Sequence, residues 1–283
     1  MFDLHGKVAV VTGSTSGIGR GIAESLAKSG ANIVLNGRHE TPETEKQRAE
    51  LETKYGIKAI YICADMTKPD DITRMIGTTA RTFGKVDILV NNAGIQHVAP
   101  IDEFPIEKWN EIIAVHQTAP FLAMRAAIPY MKQEGWGRII NIASAHGTVA
   151  SPGKAAYVTA KHGMLGLTKT VALEVADKGI TCNSISPGYV WTPLVEKQIQ
   201  SQARTLGISV ADVQDEVFMS RHATRKFTTV EQIGEMAVFL CSDAAQNMTG
   251  SDFKVDGGWT AGQVPLKRPD PKNAPKPATL EHA

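Results

Sequence analysis

Short, continuous apolar runs recur along the chain, each bounded by Gly, Pro or polar turn residues. Seven of them, at 7–12, 32–36, 58–62, 86–90, 138–143, 181–185 and 252–255, predict strands. The intervening stretches predict helices over 17–29, 42–55, 69–83, 106–131, 152–177 and 230–242. Strands that are apolar throughout, separated by helices, imply a parallel sheet covered on both faces. Right-handed crossovers make that sheet doubly wound. The expected class is therefore α/β, with one domain over 1–262 and no internal repeat.

Two stretches fall outside this alternation. From Pro193-Leu194-Val195 to about Arg221 the chain is polar and helix-prone without a strand signal. Such an excursion predicts a mobile lid over a substrate, spanning 193–221. From 263 to 283 the composition turns to Pro265, Pro269, Pro271, Pro275 and Pro277 with scattered charges and no apolar period. That predicts a disordered tail, and Leu280-Glu281-His282 within it resembles a cloning remnant.

The chemistry gathers where strands end. After the first strand comes Thr12-Gly13-Ser14-Thr15-Ser16-Gly17-Ile18-Gly19, which leads into an amphipathic helix. Glycines let backbone approach a pyrophosphate, and the helix N-terminus offers free N–H groups and a favourable dipole. In the second half, Ser144, Tyr157 and Lys161 stand in the spacing S-x12-Y-x3-K. Tyr157 and Lys161 leave one helix face a turn apart. An ammonium beside a phenol favours phenolate, so Lys161 is expected to lower the Tyr157 pKa and make it a usable acid–base group. Ser144 follows a buried strand and faces the crevice where open α/β sheets bind ligands.

With Asn91-Asn92-Ala93-Gly94 and Pro187-Gly188 in the same order, the chain resembles the short-chain dehydrogenase/reductase family from about Leu4 to Ala261. The resemblance implies a Rossmann-type fold, a nicotinamide dinucleotide, no metal and a homotetramer. It implies Ser144, Tyr157 and Lys161 as the catalytic set. Around the cofactor it implies Gly13, Thr15, Ser16, Gly17, Ile18, Gly19, Asp65, Met66, Asn92, Ala93, Gly94, Tyr157, Lys161, Pro187, Gly188, Val190 and Thr192. Asp65 also reads as a helix cap or turn residue, and 91–94 as a structural turn. At the end of the second strand, Gly37 replaces the acid that would bond the ribose hydroxyls of NAD, and Arg38 follows. Arg38 either receives the 2′-phosphate of NADP or is a solvated loop cation; the resemblance favours NAD.

Several stretches resemble the family members that act on a small β-hydroxy acid: Gly94-Ile95-Gln96-His97, Ser144-Ala145-His146-Gly147 and Pro193 to Gln198. That resemblance implies a hydroxy or keto acid substrate, with Gln96, His146, Lys154 and Gln198 holding its carboxylate near Ser144 and Tyr157. A small anion does need one cation and several neutral donors in a confined pocket. Taken singly, each of these four would read as a surface or capping residue. His116 departs from the family, which has Asn there to hold a water in a proton relay. It is expected either to keep that relay or to be a satisfied half-buried histidine.

Composition narrows the classes further. The 30 basic and 29 acidic side chains leave no net field that would attract nucleic acid or a membrane surface. Three cysteines, Cys63, Cys182 and Cys241, lie far apart. That excludes a disulfide framework or zinc motif and suits a reducing cytoplasm. No apolar run reaches bilayer length, and the first residues carry neither a basic lead nor an apolar h-region, so a soluble protein is expected.

Overall fold

The computed structural model describes residues 2–263. The tail expected over 263–283 lies, beyond its first residue, outside the described residues. Seven strands form one parallel sheet: β1 (Val8–Val11), β2 (Asn32–Gly37), β3 (Ala59–Cys63), β4 (Ile88–Asn91), β5 (Gly137–Ile142), β6 (Ile180–Pro187) and β7 (Asp252–Val255), in the order β3-β2-β1-β4-β5-β6-β7. Val10 is paired with Val34 on one side and Leu89 on the other. Strand order reverses between β1 and β4, which opens a crevice at their carboxyl ends.

The helices are α1 (Gly17–Lys28), α2 (Pro42–Tyr55), α3 (Pro69–Phe83), α4 (Ile106–Ile113), α5 (Ala119–Glu134), α6 (Ala155–Val175), α7 (Pro193–Leu206), the short α8 (Val210–Asp212) and α9 (Val230–Cys241). The apolar faces of α1 and α9 cover one side of the sheet, where Ile22, Leu26, Ile233 and Ala237 meet Ile33, Val90 and Ile140. On the other side α3, α5 and α6 supply Ile72, Ile76, Met124, Ala127 and Val171 against Val10, Val34 and Leu89. Both faces of the central strands are buried, which is why β1 and β4 are almost wholly apolar, while β5 and β6 also bury Asn141, Asn183 and Ser184.

Two boundaries differ from expectation. The helix expected over 106–131 is α4 and α5 joined by a π-helical turn, Ala114–Thr118. One extra residue in a turn leaves no mark in apolar periodicity, and such insertions recur at functional sites. The expected lid is α7, α8, a π-helical turn at Val213–Phe218 and a 3-10 turn at Met219–Arg221. It has a small core of its own, with Ile199, Ala203, Val213, Phe218 and Met219 packed beside Tyr189 and Phe227. Apolar residues spaced irregularly through a polar stretch showed no pattern from which this core could be read.

Candidate active site

A cavity of about 520 Å³ opens at the carboxyl ends of the strands. The turn after β1 is its floor, and neighbouring side chains hold that turn. The Thr12 hydroxyl accepts from the backbone N–H groups of Asn92 (2.9 Å) and Ala93 (3.0 Å). The Asn92 amide donates back to the carbonyls of Thr12 and Gly13 at 2.8 and 3.1 Å. Asn36, 1% exposed, accepts from Gly13 N–H at 3.0 Å and donates to the carbonyls of Ile62 and Ala64, each at 3.1 Å. The ends of four strands, β1 to β4, are thus tied together by two amides, and the buried one, Asn36, has its partners.

Glycine is required here by space as well as by conformation. A Cβ on Gly19 would lie 2.4 Å from both the Asn92 amide nitrogen and the Gly13 carbonyl oxygen. Gly13 itself has φ +62°, and its Cβ would meet the Ala93 backbone at 2.9 Å. Helix α1 has no acidic residue in its first turn and Ser16 contributes no side-chain cap, so its leading N–H groups face the cavity. This cradle fits a pyrophosphate.

The expected cofactor residues Gly13, Thr15, Ser16, Gly17, Ile18, Gly19, Arg38, Asp65, Met66, Asn92, Ala93, Gly94, Tyr157, Lys161, Pro187, Gly188 and Thr192 all line the cavity. Val190 does not; it is buried in the core and bridges Thr228. Arg38 is exposed at the cavity edge. Asp65 is a turn residue as well as a lining one, because its carboxylate accepts from the Thr67 N–H and hydroxyl, both at 2.9 Å. The 91–94 turn likewise serves structure and cavity together: Asn91 donates to Asn141 at 2.8 Å while its neighbours line the wall.

Ser144, Tyr157 and Lys161 converge on the inner end. Ser144 follows β5, and its hydroxyl accepts from His146 N–H at 3.1 Å. The Lys161 ammonium donates to the Ile142 carbonyl at 2.6 Å and lies 5.5 Å from the Tyr157 ring centre. Burial pulls the Lys161 pKa down to about 7. Burial also raises the Tyr157 pKa, opposed by a hydrogen bond with Ser144. The expected lowering of Tyr157 by Lys161 is therefore corrected: burial sets the upward direction, and the opposing effect comes from Ser144.

The π-helical turn aims two side chains inward. Gln117 donates to the Ala160 carbonyl on α6. His116 is 2% exposed, and its ring stands edge-on to Tyr157 with centres 5.3 Å apart. Its Nε2 lies 3.0 Å from Ile95 N and 2.8 Å from Ile95 O, while Nδ1 has no hydrogen-bond partner among the described residues. Burial, then the Lys161 charge, lowers its pKa to about 3. His116 is thus fully buried rather than half-buried.

Of the expected substrate residues, Gln96, Ser144 and Tyr157 line the cavity, whereas His146, Lys154 and Gln198 stand outside it. His146 is 4% exposed and lies edge-on to Tyr157 (5.9 Å) and Trp259 (5.2 Å), with its Nε2 2.9 Å from the Ser151 hydroxyl. Burial, then Lys154, takes its pKa to about 4. Lys154 precedes α6, and its pKa is lowered by burial and by Arg221. Gln198 is half-buried on α7. Reading along the chain missed Asn36 and Thr12, although a polar residue within an apolar strand run is a usable signal. It also missed Trp259 and Arg221 as neighbours of this site, for which no local signal exists.

A dinucleotide cradle beside a Ser–Tyr–Lys set defines a nicotinamide-dependent oxidoreductase. Residues 13–260 match the family described as Enoyl-(Acyl carrier protein) reductase. The chain belongs to the short-chain dehydrogenase/reductase family. It is 56% identical over 255 residues to the D-beta-hydroxybutyrate dehydrogenase of Rhizobium meliloti (strain 1021), covering 90% of this chain and 99% of that one. With the D-beta-hydroxybutyrate dehydrogenase of Cupriavidus necator it shares 49% over 259 residues, covering 91% and 99%. Among solved structures, L-sorbose reductase from Gluconobacter frateurii, complexed with NADPH and L-sorbose, superposes with a TM-score of 0.88. The two are 33% identical, over 92% of this chain and 99% of that one.

Proposed function

We propose that this enzyme reversibly oxidises D-β-hydroxybutyrate to acetoacetate, with NAD as hydride acceptor. The observation that carries the reading is the pairing of buried His146, edge-on to Tyr157, with neighbouring Lys154, in a chain 56% identical to a dehydrogenase of that name. Such a pairing suits a small carboxylate whose other end reaches the reacting oxygen. A dinucleotide held in the cradle after β1 would supply the hydride chemistry. The Tyr157 phenol, kept protonated by burial, donates its proton to the carbonyl oxygen in reduction and takes it back in oxidation, while Ser144 positions that oxygen. Lys161 is positioned to hold the nicotinamide ribose and to pass the proton outward. His116 presents its unpartnered Nδ1 to a water between the helix backbone and Lys161, in place of the family's Asn.

The reading extends to cofactor, assembly and place. Gly37 and the exposed Arg38 support a second cofactor reading, NADP, and with it a reductase of β-ketoacyl thioesters. Exposed Phe121 on α5 and Leu173 on α6 support a homotetramer. Free Cys63, Cys182 and Cys241 support a cytoplasmic setting. The segment 193–221 acts as the lid. Following nicotinamide absorbance with D-β-hydroxybutyrate and NAD or NADP tests the activity; a strong NADP preference, or turnover only with thioesters, would replace the first reading. If NADP is used, Arg38→Ala should harm its turnover selectively.

A further inference from the structure

The lid ends in the 3-10 turn Met219–Arg221, and that turn is anchored rather than loose. The next residue, His222, is 0% exposed. Its Nε2 accepts from Tyr189 N–H at 2.9 Å, and its Nδ1 lies 2.9 Å from the Lys226 carbonyl oxygen. Tyr189 stacks at 23° on both His222 (5.8 Å) and Trp259 (5.1 Å). The guanidinium of Arg221 lies over the other partner in this stack, 5.3 Å from the Trp259 ring centre. Trp259 in turn abuts His146, which abuts Tyr157. A rigid ring system therefore delivers an exposed cation to the flank of the proposed carboxylate site.

We propose that Arg221 is a second cation for the substrate's carboxylate, sharing it with Lys154 across the His146–Trp259 edge. The inference rests on the hydroxy-acid reading given above. Among the described residues no carboxylate figures in the charges that act on Lys154 and His146, and Arg221 disfavours the charged form of both. Two cations held near each other without an acid repel, and an anion placed between them removes that repulsion. A planar guanidinium also suits a planar carboxylate, and its cation–π contact with Trp259 leaves its N–H groups free to bond. Because Arg221 belongs to the lid, the acid group of the substrate becomes a tie between lid and body. Specificity for a free carboxylate would then be set by two residues 67 positions apart in the chain, one on each side of the site.

The test compares Arg221→Gln and Arg221→Lys with the parent enzyme, using acetoacetate and its methyl ester as substrates. Arg221→Gln should raise KM for acetoacetate roughly tenfold or more, the scale of a charge-assisted hydrogen bond. The KM for the cofactor should stay unchanged, and the parent's preference for acid over ester should shrink. Arg221→Lys should recover a good part of the loss. An unchanged acetoacetate KM in Arg221→Gln, or an equal loss with acid and ester, would overturn the assignment; the second outcome would mark Arg221 as a prop for Trp259. A parent that fails to reduce acetoacetate at all would instead remove the hydroxy-acid reading, and this inference with it.

Discussion

The two halves of the site are built by opposite means. On the cofactor side, the side chains of Thr12, Asn36 and Asn92 bond backbone N–H and carbonyl groups within and between strand ends. The turn from Gly13 to Gly19 itself carries no charged side chain. On the substrate side, Lys154 and His146 are held against their charged forms by burial, and packed rings set the distances. The contrast follows from what each half binds. A pyrophosphate needs backbone dipoles fixed in place, which a saturated hydrogen-bond network provides. A small acid needs discrimination, and a desolvated cation discriminates because it is poorly satisfied until its anion arrives.

The comparison is broken most sharply at Tyr157. Tyr157→Phe removes only the ionisable oxygen and should cost at least ~10²-fold in kcat. Cofactor affinity, read by quenching of intrinsic fluorescence, should be nearly unchanged; turnover within a few-fold of the parent would transfer the proton to another group. Next comes Lys154→Ala. It should raise acetoacetate KM roughly 10- to 100-fold, since hydrogen bonds to charged groups contribute about 1.5–3 kcal/mol, and leave the melting temperature close to the parent's.

On the opposite side, Asn36→Ala should act on stability first. It strands the Gly13 N–H and two carbonyls in the interior, a loss of about 1–3 kcal/mol that thermal unfolding would show together with a raised cofactor KM. If Asn36→Ala altered only acetoacetate KM, the division of the site into two halves would be wrong.

The effect that is smallest near neutral pH separates the histidines. His116 and His146 have folded pKa values of about 3 and about 4, below the value near 6.5 of an unfolded histidine. The unfolded chain therefore binds protons that the native state refuses. Stability is complete above about pH 6.5 and falls as pH drops towards those folded values, by about 1.4 kcal/mol per pH unit for each group. His116→Asn should flatten this fall without changing the pH–rate profile above pH 6.5. His116→Ala should slow turnover more than His116→Asn does; a profile identical to the parent's would make His116 packing alone.

Much of the fold lay open in the linear pattern. Seven runs became seven strands within about two residues, because burial on both faces makes the central strands largely apolar. The cofactor motif was legible for a similar reason. Its parts are consecutive, and each Gly or Asn answers to a backbone constraint a few residues away. Ser144, Tyr157 and Lys161 could be read because one strand end and one helix face carry all three.

The tertiary structure alone decided the rest. The π-helical turn that points His116 at Tyr157 packs against α6 and leaves no mark in the apolar period of the sequence. The pKa directions of Tyr157 and Lys161 depended on desolvation, which sequence spacing does not contain. Asn36, Trp259 and Arg221 come from the second strand, the last turn and the end of the lid. Local sequence determines which backbone conformations are available to such segments. Only the closing of the sheet determines which of their side chains share one electrostatic environment, because that depends on distances no single segment sets.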